Sequence, residues 1–75
     1  MDTQKFINLF AEALDIEASE LSIDTEFRTL PVWDSMVYLS VIAMLDDEYD
    51  IQIENAEFKS LKTIGDIINY IEAHQ

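Results

Sequence analysis

The chain has no cysteine, and only one proline, one glycine, one histidine and four basic residues among its 75 positions. Each shortage excludes something. Without cysteine there is no disulfide framework and no thiolate metal site. A single glycine cannot build a glycine-rich loop around a phosphate. Four bases against sixteen acids leave a net charge of -12, so nothing here neutralises a nucleic-acid backbone. The same charge disfavours anionic membranes, and no apolar run approaches the length of a membrane span. The opening MDTQKF has neither a basic region nor an apolar one, so no signal peptide is expected and the cytoplasm is the expected location.

What is present argues for a folded protein. Hydrophobic residues make up 49% of the chain, including four Phe, three Tyr and one Trp. Disordered acidic chains are poor in such residues. The length allows one domain, residues 1–75, expected to be monomeric. A domain of this size buries only about 60–65% of the surface its unfolded form exposes, so its margin of stability is thin. Strong acidity favours partners that carry a basic patch.

Periodicity predicts an all-α fold: a small four-helix bundle of three main helices and one short one, with a long loop between the first and second helices. Phe6, Leu9, Phe10, Ala13 and Leu14 fall on one face of a helix over about residues 3–15, with Asp2 or Thr3 as cap. From Ile16 to Asp34 no period holds. Ile16, Leu21, Ile23, Phe27 and Leu30 read as anchors that pin a loop, and a short helical turn is expected near Ala18 to Leu21. Pro31 keeps Leu30 out of a helix. The second helix is expected from Ser35 to about Tyr49, with Tyr38, Val41, Ile42, Leu45 and Tyr49 facing the core. Met36, Ser40, Ala43 and Asp47 form another stripe, flanked by Asp46 and Asp50; an exposed Met there suits an adaptable contact surface. Ile51 and Ile53 alternate over too short a span to make a sheet. Asn55 is read as the cap of a brief helix through Phe58 and Leu61. Thr63 and Asp66 form a capping box that starts the last helix, whose core stripe is Ile64, Ile67, Ile68 and Ile71.

Few residues could carry chemistry, and no convergent catalytic set is visible, so no enzyme is expected. His74, near the end, complements a helix dipole more simply than it serves as a base. Asp46, Glu48, Asp50, Gln52, Glu54 and Glu57 match the spacing of a calcium loop, but Ile51 stands where that loop needs its glycine, and no metal site is assigned. Trp33 and Phe27 read as plugs between loop and core more readily than as a ligand pocket. Asp34-Ser35 then stands out. Its plain role is to start the second helix. A serine there is also well placed to hold a phosphodiester, because free amides and the positive dipole end favour an anion.

Asp34-Ser35-Met36 at the start of the second helix resembles the Asp-Ser-Leu signature of acyl and peptidyl carrier proteins. The resemblance spans nearly the whole chain, through the acidity, the missing cysteine, the long first loop, and the segments DDEYDIQI and INYIEAHQ. It implies a stand-alone carrier. A phosphopantetheinyl transferase would move 4′-phosphopantetheine from coenzyme A onto Ser35, beside Asp34, and the arm's thiol would hold an acyl or aminoacyl cargo as a thioester. Loading and processing enzymes with basic patches would dock on Met36, Ser40, Ala43, Asp46 and Asp47. Fatty-acid, polyketide and nonribosomal peptide systems all fit. The chain departs from the family at Val32, where glycine is frequent, and at Val37 and Ser40, where acids are frequent. These departures imply a specialised carrier with more apolar contact near Ser35. Tyr38 and Tyr49 add bulk to the core face and imply a shortened cargo cavity. The competing reading is an unmodified acidic helical module that docks basic partners.

Overall fold

The computed structural model describes residues 2–74. It contains α1 (Thr3–Leu14), α2 (Ser35–Tyr49), the short α3 (Asn55–Ser60) and α4 (Ile64–Ala73), with no strand among the described residues. The bundle is all-α, with three longer helices and one short one. The long connection between α1 and α2 holds two 3₁₀ turns, Ala18–Glu20 and Phe27–Thr29, of which the sequence pattern signals only the first.

Helix starts follow side-chain chemistry. The Lys5 N–H donates to Asp2 Oδ1 at 3.0 Å, so Asp2 rather than Thr3 caps α1. Helix ends are less usual. Both α1 and α2 stop at an aspartate in the left-handed region, Asp15 at φ 59° and Asp50 at φ 53°. Glycine commonly fills that position, and Asp is among the few residues that tolerate it. In a chain with one glycine, aspartate does this work.

Thr63 and Asp66 form the expected capping box at α4. Asp66 Oδ2 accepts the N–H groups of Lys62 (2.9 Å) and Thr63 (3.1 Å), and those two bonds hold its carboxyl below the usual 3.8. A depressed folded value means that the stabilisation is complete above 3.8 and is lost as pH falls below it. Asp66→Ala is therefore expected to cost about 1 kcal/mol at neutral pH. Denaturant unfolding of both proteins across a pH series should show this gap closing below 3.8.

The core is drawn from all four helices and the second 3₁₀ turn. Phe6, Phe10, Phe27, Val41, Leu45, Phe58, Ile64, Ile67 and Ile71 are essentially inaccessible, and no described polar residue is buried. Ile51 and Ile53 are buried without forming a strand. On α2 only Val41 and Leu45 are fully buried, while Tyr38, Ile42 and Tyr49 lie at the edge of the core. Tyr38 packs its ring on Phe58 and keeps its hydroxyl at the surface, as amphipathic side chains do, whereas burial pushes the Tyr49 hydroxyl's pKa up.

Three expectations are corrected. On α1 the buried face is Phe6, Ile7, Phe10, Ala11 and Leu14, while Leu9 and Ala13 are only partly covered, because the i, i+3, i+4 spacing fits either side of the Phe6–Phe10–Leu14 line. Ile23 is not a side-chain anchor, because half of its surface is exposed. The loop is pinned there by backbone: Gly65 N–H donates to the Ile23 carbonyl at 2.8 Å and Ile64 N–H to that of Thr25 at 3.1 Å. A Cβ at position 65 would stand 3.0 Å from the Ile23 oxygen, so glycine permits this approach. Asn55 is the first residue of α3 and not its cap; Glu54 holds the cap position, without a side-chain bond. Asn55 Oδ1 is turned to another use, accepting from the Tyr38 hydroxyl at 3.4 Å.

Candidate functional site

The start of α2 separates two tasks that the sequence leaves joined. Asp34 caps the helix: the Val37 N–H donates to Asp34 Oδ1 at 2.8 Å. Ser35 is the first helical residue, is exposed, and contributes nothing to that cap. The side-chain cap of this helix is thus Asp34's and not Ser35's. The first turn of α2 contains no acid. Its orphan N–H groups and the positive end of the dipole favour an anion at this point.

The second stripe of α2 faces outward as expected. Met36, Ser40, Ala43, Asp46 and Asp47 are all exposed, Met36 to 76%. The stripe holds a residue the sequence pattern passes over: Leu39 is 63% exposed. Its spacing carried the signal, since positions 36, 39 and 43 fall on one face. Two such exposed side chains beside Ser35, with Val32 just before it, make an apolar platform at the head of an acidic helix.

The stripe also meets α1. Ser40, Ala43, Asp46 and Asp47 form one wall of an open groove of about 640 Å³, and Leu9, Glu12 and Ala13 form the other. The helical wheel of α2 alone could not show this partner wall.

The remaining candidates fall to structural roles. The calcium spacing is spread over the last turn of α2 and the first of α3, leaving only residues 50–54 outside helices. Among the described residues no group of three or more acidic or histidine side chains is placed to hold an ion. His74 follows the end of α4, with Nδ1 2.8 Å from the Tyr70 carbonyl and its ring stacked on Tyr70 at 4.0 Å. Trp33 and Phe27 plug the loop. Trp33 lies nearly parallel to both Phe10 (6.5 Å) and Phe58 (6.2 Å), and 5.0 Å from Phe27.

An acidic four-helix bundle that exposes a serine at the start of its longest helix, beside an apolar and acidic face, has the form of a carrier domain. Comparison with known proteins agrees. The phosphopantetheine attachment site family matches residues 4–71. The acyl carrier protein of Clostridium acetobutylicum is 31% identical over 71 residues, 95% of this chain and 92% of its own length. That of Exiguobacterium sibiricum is 36% identical over 72 residues, covering 96% and 87%, and that of Streptococcus thermophilus 38% over 69, covering 92% and 89%. The chain belongs to the acyl carrier protein family. It is therefore a carrier rather than a catalyst, its prosthetic group is covalently attached 4′-phosphopantetheine, and its family works with phosphopantetheinyl transferases and biosynthetic enzymes. No helix among the described residues is long and apolar enough to cross a membrane.

Proposed function

We propose that Ser35 is the attachment point of the phosphopantetheine arm and that the chain delivers an acyl or aminoacyl cargo between biosynthetic enzymes in the cytoplasm. The observation that carries this reading is the division of labour at the start of α2: Asp34 makes the cap and Ser35 stands exposed beside it. The residues suit the group. In the transferase, the Ser35 hydroxyl attacks the phosphorus of coenzyme A that bears the pantetheine. A new P–O bond forms, the phosphoanhydride breaks, 3′,5′-ADP leaves, and the serine proton passes to a base. The resulting phosphodiester sits where unpaired helix amides favour an anion. When bound, the arm supplies a terminal thiol for thioester linkage to cargo. Asp34 holds the helix start in place with one carboxylate oxygen and has a second with which to approach the transferase's metal.

Partner enzymes with basic patches are placed on Met36, Leu39, Ser40, Ala43, Asp46 and Asp47, with the apolar platform fitting the contact near Ser35 and the acids steering the approach. Asp47→Lys is expected to slow transfer to such a partner about tenfold at low salt and far less at high salt, because rim charges act mainly on association. Stopped-flow transfer at two ionic strengths checks this; an unchanged rate at both removes Asp47 from the docking face.

Attachment is tested by intact mass after incubation with coenzyme A and a promiscuous phosphopantetheinyl transferase, followed by peptide mapping. One added arm on the peptide holding Ser35 supports the reading. An arm on another residue, or none on folded protein, refutes it.

A further inference from the structure

Ser35 is flanked in the chain by two members of the most aromatic part of the core. Trp33 is two residues before Ser35, and Tyr38 is one helical turn after it. Trp33 is nearly parallel to Phe10 on one side and to Phe58 on the other. Tyr38 meets Phe58 edge-on at 5.1 Å, and Phe27 closes on both Trp33 and Phe58 at 5.0 and 5.4 Å. The Tyr38 hydroxyl reaches Asn55 Oδ1 over 3.4 Å and so links α2 to α3 across the top of this column. Below it the Arg28 guanidinium lies over the Phe27 and Phe58 rings and bonds the carbonyls of Phe58 and Leu61. The gap between α2, α3 and the long loop is thus filled by interlocking rings and tied at both ends. Tyr49, which the sequence pairs with Tyr38, is 14 residues along α2 and so about 21 Å from Ser35. It packs on Phe6, which packs on Phe10 in turn, so it reaches the column only through those two rings.

We infer that Trp33, Tyr38 and Phe58 exclude long aliphatic cargo from the interior, and that the chain carries a short or polar acyl group, aminoacyl groups included, held outside the bundle. The inference rests on Ser35 as attachment point. An aliphatic chain entering between α2 and α3 has to part Phe58 from Trp33 or from Tyr38, and packed interiors yield little to added methylenes. A short cargo need not enter.

The test loads the protein with acetyl and with dodecanoyl pantetheine, each transferred whole from its acyl-coenzyme A, and reads intact mass first. No arm at Ser35 overturns the attachment reading and this inference with it. With the arm in place, hydroxylamine cleavage of the two thioesters is followed, together with the indole signal of Trp33, the one tryptophan. Rates within about threefold of each other, with Trp33 unmoved by dodecanoyl loading, are expected for a chain that stays in solvent. A dodecanoyl thioester protected by more than that, with Trp33 displaced, overturns the cargo inference and leaves attachment intact. Trp33→Ala and the milder Tyr38→Ala open the column from two sides, so one folded variant suffices. Either is expected to make the dodecanoyl thioester more than about threefold slower to cleave than in the wild type. No gain in protection in a folded variant overturns the assignment of these rings.

Discussion

Ser35→Ala is expected to gain no mass from coenzyme A and transferase while remaining as stable as the wild type. Removing the hydroxyl removes the nucleophile, so the loss is complete. The fold should not notice. Ser35 contributes nothing to the cap, is exposed, and alanine is the better helix former. Thermal melts are expected to agree within about 0.5 kcal/mol, the usual range for a surface change. Asp34→Ala gives the opposite pattern. It keeps the hydroxyl and loses the bond to the Val37 N–H, at a cost of about 1 kcal/mol. For a domain of this length that lowers the melting temperature by about 4–8 °C. Adjacent substitutions thus separate chemistry from folding. Mass gain by the Ser35→Ala protein would refute attachment there, and a large loss of its stability would refute the division of labour at this helix start.

Much of the fold was legible because its signals are local. Asp2, Asp34 and Thr63 cap helices by reaching amides three residues away, and such spacing is visible in a sequence. The stripes on α2 and α4 follow from helical geometry, and that on α1 only in part, since Ile7 and Ala11 are buried where the spacing points to Leu9 and Ala13. The outward stripe of α2 is legible nearly whole, and Leu39 belongs to it by spacing although hydrophobicity alone points it to the core. Other features depend on distance. Asn55 was read as a cap because Asn favours that position, but the Tyr38 hydroxyl, 17 residues away, takes its oxygen. Ile23 was read as an anchor from hydrophobicity, whereas its backbone makes the connection, to Gly65. Periodicity carries no information about either pairing. The groove between α1 and α2 is of the same kind, since it exists only once two helices are side by side.

The acids divide by position as well. Asp15 and Asp50 end helices, Asp2, Asp34 and Asp66 start them, and Asp46, Asp47 and Glu48 line the open groove. Part of the strong negative charge is therefore structural, used where other chains use glycine or serine. The cluster late on α2 has no capping duty beyond the backbone carbonyl of Asp46. The proposed docking of basic partners draws on this cluster, and a net charge of -12 favours their approach at long range.

Among the four bases Arg28 has the most to hold, and its replacement should have the largest effect on stability. Its guanidinium donates to the carbonyls of Phe58 and Leu61, at the end of the six-residue α3. It also lies 4.9 Å from the centre of the Phe27 ring and 5.2 Å from that of Phe58. A helix of six residues is not stable alone, and its last carbonyls need partners. Arg28 supplies them from a segment 30 and 33 residues away in sequence. Two hydrogen bonds from a charged donor and two cation–π contacts, part-buried, put Arg28→Ala at a cost of about 3 kcal/mol. The whole domain is held by about 4–11 kcal/mol at this length. The variant is therefore expected to melt about 15 °C lower. Arg28→Lys keeps the charge but not the planar fork, so it should recover less than half of the loss. Arg28→Met keeps a flexible stem against the rings without hydrogen bonds, and should fall near alanine if the carbonyls dominate. Amide exchange adds the location: α3 is expected to open first in all three, ahead of α1 and α4. If Arg28→Ala melts with the wild type and α3 exchanges no faster, the short helix is held by Phe58 packing alone, and Arg28 merely rests on the surface of the aromatic column.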